Sequence, residues 1–265
     1  MFVHDISPVI ASIGPVSIRW YSLAYIIGFL LGYWWLHRLA KRGQVKNLTA
    51  ERVDTLATWL ILGVILGGRL FEFIFYQPHV WAQDPLEVLR IWHGGMSFHG
   101  GLIGAALASY LYCRKHKIPL LQVGDALALP AAFALFLGRI ANYINAELVG
   151  TVTDVSWCVK FPGHEQCRHP SQLYEALKNL IITTGLAIAY PKKGKLKDGT
   201  LLWGFVAAYG LLRPIATIWR DDPDVLWTFS MGQVLSLAML IIGVAALIQL
   251  YRPYLHKLLP RGKTY

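Results

Sequence analysis

Arg139 and Arg213 carry the strongest chemical signal in this 265-residue sequence. Each lies in an apolar stretch, and neither has an acidic residue within one helical turn of it. A guanidinium stays charged and offers a planar fork that suits a phosphate bidentately. Two such groups without partners on their own segments predict an anionic ligand, and a lipid phosphate is the obvious anion in apolar surroundings. His99 belongs to a second segment, His93-Gly94-Gly95-Met96-Ser97-Phe98-His99-Gly100-Gly101. An imidazole with an unperturbed pKa of about 6.5 can serve as a general base. The glycine pairs permit non-helical backbone and close approach of a ligand. A hydrogen-bonded structural histidine is the plainer alternative. A metal site is disfavoured, because no carboxylate or thiolate stands at ligand spacing from the two histidines. In residues 138–150, Asn142, Asn145 and Glu147 follow Arg139. Amide and carboxylate groups suit hydroxyl recognition, as on a glycerol headgroup. Here the plainer reading is a polar helix C-terminus stopped by Gly150.

The elements that must position these groups follow from composition. The chain is 55% apolar and only 15% charged, with a mean hydropathy of +0.44. An average soluble domain carries about 25% charge. A pair of soluble domains is therefore excluded. The net charge of +10 does not imply a nucleic-acid partner, because the basic residues fall between apolar blocks. Three cysteines are too few for a disulfide scaffold or a thiolate metal site. No basic residue precedes Arg19, so no cleavable signal peptide is expected.

A helix needs about 20 residues to cross a hydrocarbon core of about 30 Å. Seven segments qualify, near residues 20–36, 53–76, 97–113, 121–140, 173–190, 200–219 and 231–250. The expected fold class is an all-α polytopic membrane protein with seven transmembrane helices, a single integral membrane domain over residues 1–265. Its longest connection falls near residues 142–172. Of the 25 Lys and Arg residues, sixteen fall in the connections on one side, five on the other and four inside the spans. The positive-inside rule then places the C-terminus in the cytoplasm and the N-terminus outside, in the periplasm.

With about 1.5 Å of rise per residue, this orientation puts seven polar side chains in the outer half of the bilayer. They are Tyr21, Arg69, Glu72, His99, Arg139, Glu175 and Arg213. Ionisable groups at such depth are costly and usually mark function. Some have structural readings: Arg69 with Glu72, and Lys178 with Glu175, are spaced i, i+3 and can neutralise each other. Asp125 reads as a helix-terminal carboxylate, and Cys113 as a small apolar residue. Cys158 and Cys167 are either a disulfide or two free thiols.

The segments 93–104 (HGGMSFHGGLIG) and 138–150 (GRIANYINAELVG) resemble the two signatures of the prolipoprotein diacylglyceryl transferase family. The resemblance extends over most of the chain. Residues 13–21 (IGPVSIRWY), Gly67-Gly68-Arg69 and His169-Pro170-Ser171-Gln172-Leu173-Tyr174-Glu175 are similar to further family blocks. So are Tyr209-Gly210 through Arg213, Arg220, and Ser230-Met231-Gly232-Gln233.

The resemblance implies an enzyme of the bacterial inner membrane that acts on phosphatidylglycerol. Its diacylglyceryl group would pass to the lipobox cysteine of a prolipoprotein signal peptide, forming a thioether and releasing glycerol 1-phosphate. It also implies that His99, Arg139 and Arg213 are essential, with Tyr21, Asn142, Glu147, Gly150 and Tyr209 in support. One departure stands out: Thr217 occupies the position, four residues after Arg213, where the family usually carries an acid. Pro214 is expected to kink its helix.

The chemistry sets two tasks. A thiol of pKa about 8.5 must lose its proton, and the departing phosphate must be stabilised. His99 suits the first task, Arg139 and Arg213 the second. Tyr21 and Tyr209 can donate to phosphate oxygens, and Asn142, Asn145 and Glu147 can hold the headgroup. No cofactor or metal is required. An anion or lipid transporter with an arginine-lined intramembrane site is the rival expectation, and a non-catalytic lipid-binding scaffold is the third.

Overall fold

Eight α-helices carry most of the described residues: α1 (Trp20–Lys41), α2 (Ala50–Phe71), α3 (Pro78–Gln83), α4 (Phe98–Lys115), α5 (Leu120–Ile144), α6 (Ser171–Ala189), α7 (Thr200–Ala216) and α8 (Met231–Leu258). This computed structural model describes residues 2–13, 16–90, 94–222, 224–226 and 229–258. Every helix except the short α3 overlaps one of the expected apolar segments. Three stretches are long and apolar enough to cross a membrane, Ala50–Tyr76, Leu120–Ile144 and Met231–Tyr254, and Thr200–Ala216 is a shorter apolar helix. Large apolar side chains also face outward, among them Ile241 at 68% and Ile188 at 65% exposure. Such surfaces are costly in water and cost little against lipid tails.

The chain divides into two compact units, one of Met1–Gly32 with Gly124–Tyr265, the other Tyr33–Val123. In the first, Ala128 and Ala132 of α5 pack with Ile182 and Leu186 of α6 and with Leu201 and Tyr209 of α7. Asp125, buried near the start of α5, accepts the amides of Gly199 at 2.8 Å and Leu202 at 2.9 Å. It therefore caps the N-terminus of α7 and not its own helix, satisfying donors that would otherwise be orphaned.

Helices do not account for everything. The antiparallel pair β2 (Val9–Ile13) and β3 (Val16–Arg19) precedes α1. Its β-branched residues favour extended backbone, and the hairpin is too short to span. β1 (Phe2–Val3) runs parallel to β4 (Val159–Lys160), and β5 (Asp224–Leu226) pairs with β6 (Phe229–Ser230). Cys158 and Cys167 form a disulfide beside β4.

In the second unit α2 packs on α4 through glycines. A Cβ on Gly63 would lie 2.6 Å from the Gly104 carbonyl oxygen, and Gly67 faces Gly100 as closely. Two G-x-x-x-G spacings, 63/67 and 100/104, thus bring two backbones into contact. This revises the reading of the glycines around His99. Gly94 and Gly95 do adopt positive φ, +77° and +73°, whereas Gly100 is helical and serves close packing.

Candidate active site

α5 ends at Ile144, and a tight turn follows in which Ala146 and Leu148 adopt positive φ. α6 docks its first turn on this segment: Ser171 Oγ donates to the Leu148 carbonyl at 2.7 Å, and Gln172 Nε2 to that of Glu147 at 2.6 Å. Gly150 pairs with Arg220 in a β-bridge. A Cβ there would stand 2.5 Å from the His169 carbonyl oxygen and 2.6 Å from that of Trp219. The helix-stop reading of Gly150 is therefore replaced: it is glycine so that three strands of backbone can meet.

This docking buries Glu175 of α6, which is 1% exposed, among cations. Arg139 Nη2 lies 3.2 Å from its Oε2, Arg220 Nη1 donates to its Oε1 at 3.1 Å, and Lys178 Nζ stands 3.8 Å from Oε2. The expectation that Arg139 lacks a carboxylate holds only along its own helix; the partner comes from α6. Arg220 has a second carboxylate, Asp222, 2.9 Å from its Nε.

Arg139 also starts a polar chain. Its Nη1 donates to Asn142 Oδ1 at 3.2 Å, Asn142 Nδ2 donates to Glu147 Oε2 at 3.0 Å, and Asn145 Nδ2 donates to Glu147 Oε1 at 3.2 Å. Asn145 Oδ1 is buried without a partner. The three polar residues after Arg139 are thus one network, attached to the guanidinium they follow.

Arg213, in the last turn of α7, donates to the Tyr209 hydroxyl at 3.3 Å, and its Nε is buried without a hydrogen bond. Among the described residues no ion pair involves it. Thr217 Oγ1 donates to the Arg213 carbonyl at 2.9 Å and accepts from Gln233 Nε2 at 3.4 Å. Threonine therefore closes the end of α7 through its hydroxyl, and Arg220 takes its carboxylates from Glu175 and Asp222. Tyr21, at the start of α1, shares a hydrogen bond of 2.9 Å with the Tyr25 hydroxyl. His169, buried against Tyr174 and Trp219, is hydrogen-bonded to the Tyr174 hydroxyl at 3.0 Å; burial pushes its pKa below the ordinary imidazole value.

His99 belongs to the other unit. It is exposed on the first turn of α4, which Ser97 caps by accepting the Gly100 amide at 3.3 Å. His93 lies outside the described residues. Arg69 and Glu72 do not serve each other as expected. Arg69, 2% exposed, donates to the carbonyls of Glu87, Val88, Arg90, Gly94 and Gly95, while Glu72 accepts from Gln77 Nε2 at 3.0 Å. The interior carbonyls of an irregular loop solvate that charge, so no carboxylate is needed. Among the described residues no group of three His, Cys, Asp or Glu side chains could hold a metal ion.

Sequence reasoning missed Glu175 as the centre of the cation cluster. The only local signal was its i, i+3 spacing to Lys178; Arg139 and Arg220 are 36 and 45 residues away. Chemically, Arg139, Lys178, Arg213 and Arg220 outnumber Glu175, Asp222 and Glu147 by one, and the surplus of positive charge favours an anion, the more so where little water screens it.

A family model described as prolipoprotein diacylglyceryl transferase matches residues 8–249. The phosphatidylglycerol–prolipoprotein diacylglyceryl transferase of Rhodospirillum rubrum is 43% identical over 252 residues, covering 92% of each chain. That of Wolbachia pipientis subsp. Culex pipiens is 43% identical over 249 residues, 91% of this chain and 93% of its own. That of Rickettsia canadensis is 40% identical over 257 residues, 94% and 98%. With a family match over residues 8–249 and relatives 40–43% identical along nearly all of the sequence, the chain belongs to the prolipoprotein diacylglyceryl transferase family.

Proposed function

We propose that this protein transfers the diacylglyceryl group of phosphatidylglycerol to the thiol of a prolipoprotein's lipobox cysteine. Family membership over residues 8–249 is the observation that carries this reading. The surplus of cations around Glu175 supports it, because the lipid enters with a negative phosphodiester. The protein works in the bacterial inner membrane, crosses it seven times as one integral domain and leaves its N-terminus in the periplasm; the distribution of Lys and Arg supports that orientation. Both substrates then arrive sideways, the lipid by diffusion in its leaflet and the prolipoprotein on its own signal helix.

In the reaction the cysteine sulfur displaces a phosphate oxygen from the glycerol carbon of the diacylglyceryl group. A C–S bond forms, the C–O bond breaks with its electrons staying on phosphate, and glycerol 1-phosphate departs. His99 accepts the thiol proton, a role that rests on its residue type and signature. Arg139 and Arg213 hold the phosphate and oppose the charge gathering on it. The phosphodiester is already anionic, so part of their contribution is ground-state binding. Tyr21 and Tyr209 donate to phosphate oxygens. Asn142, Asn145 and Glu147 read the glycerol hydroxyls, and Gly150 keeps their turn closed against α6.

Purified protein given phosphatidylglycerol and a lipobox peptide should shift the peptide mass by one diacylglyceryl group, with matched release of glycerol 1-phosphate. The His99→Gln variant should still bind the lipid but turn over far more slowly. Anion uptake into liposomes without the mass shift would replace this reading with transport.

A further inference from the structure

The reaction above leaves two cations of the cluster unused, and of these Arg220 is held by two carboxylates, Glu175 and Asp222, whereas Lys178 is not. It stands one turn after Glu175 on α6 and is only 4% exposed. Its ammonium, 3.8 Å from Glu175 Oε2, is beyond hydrogen-bond reach and makes no hydrogen bond. Glu175 Oε1 is taken by Arg220 at 3.1 Å, and Oε2, 3.2 Å from Arg139, accepts no hydrogen bond, so this ion pair leaves the lysine's donors unused. Three N–H donors are thus buried and unspent, an arrangement that is costly unless something else accepts from them.

Tyr209 connects this lysine to Arg213. Lys178 Nζ lies 3.9 Å from the centroid of the Tyr209 ring, and Arg213 Cζ lies 5.7 Å from the same centroid. Arg213 has its own unspent buried donor, Nε. Two cations therefore share one aromatic ring, and each has hydrogen-bonding capacity that no described side chain uses.

We propose that Lys178 is a further ligand of the substrate's phosphate, joining Arg139 and Arg213 in one anion-binding cluster. The proposal rests on the transferase reading. An ammonium is a compact point charge, whereas a guanidinium is a planar fork. The two arginines suit pairs of oxygens, and the lysine supplies the remaining donors from over the face of the Tyr209 ring. The lipid phosphodiester and the phosphate monoester released from it present the same chemistry to Lys178.

The test is transfer to a lipobox peptide by the full-length protein in mixed micelles, with phosphatidylglycerol titrated and glycerol 1-phosphate added as inhibitor. Wild type is compared with Lys178→Met and Lys178→Gln. Methionine nearly matches the lysine in volume, and Glu175 keeps Arg139 and Arg220 as partners when the lysine is lost, so no buried carboxylate is left unpaired. The expected result is an apparent KM for phosphatidylglycerol raised about tenfold, as for loss of one charged hydrogen bond, with inhibition by glycerol 1-phosphate weakened in parallel and kcat less affected. Unchanged KM and inhibition in either folded variant would overturn the proposal. A raised KM with undiminished inhibition would overturn it too, assigning Lys178 to another part of the lipid. Failure of both variants to fold would make the lysine structural. A wild type that transfers nothing would overturn the transferase reading itself, a result distinct from an active wild type beside unaffected variants.

Discussion

Arg139 is bound in two directions, to Glu175 on α6 and to Asn142 one turn along its own helix. Only a guanidinium fork can hold both while presenting a further edge to a phosphate. Lysine at this position keeps the charge and loses the fork. The Arg139→Lys variant should therefore lose about 1.5–3 kcal/mol of transition-state stabilisation, roughly ten- to a hundredfold in kcat/KM for phosphatidylglycerol; steady-state transfer kinetics measure it, and an unchanged value would refute bidentate recognition. At this scale the sequence was informative about residue types and silent about partners. Arg139, Asn142, Asn145 and Glu147 lie within nine consecutive positions, so their association was legible. The Arg139–Glu175 and Arg220–Glu175 pairs join residues far apart in sequence, and no local spacing encodes them. Arg69 was misread for a similar reason: its acceptors are backbone carbonyls, which every residue carries and no sequence pattern marks.

Helix positions were legible because apolar runs longer than a soluble domain tolerates leave few alternatives. The connections were less so. The hairpin of β2 and β3, for example, has too few residues to give a periodic signal. The glycine contact of α2 with α4 was visible as two G-x-x-x-G spacings, but glycines beside a histidine also suit a ligand loop, and only the helical backbone of Gly100 separates the two readings. An alanine at Gly104 should force α2 and α4 apart, since its Cβ would overlap Gly63. The Gly104→Ala variant should lose about 1–3 kcal/mol of stability, as for overpacking generally. Gly185 of α6 has no neighbour within 4 Å of an added Cβ, and Gly185→Ala should gain about 0.5–1 kcal/mol from helix propensity. Thermal unfolding in detergent compares the two; equal effects would show that the close backbone approach carries no energy.

For the molecule as a whole, charge and apolar surface together set its relation to the bilayer. A membrane-impermeant maleimide should label Gln83→Cys in intact spheroplasts, and Lys192→Cys only after the membrane is opened. Both positions are exposed, and the native free thiol Cys113 is buried and silent. The opposite pattern would invert the proposed topology. Within that frame Arg69 has a mechanical consequence. Five carbonyls, those of Glu87, Val88, Arg90, Gly94 and Gly95, wrap one guanidinium that has almost no exposure. Peeling this loop away would strand a naked charge, so the segment acts as fixed masonry and not as a flap. The amides of Glu87 and Arg90, bonded to the carbonyls of Asp84 and Glu87, should exchange with deuterium slowly, and whatever door admits a lipid has to hinge on other residues.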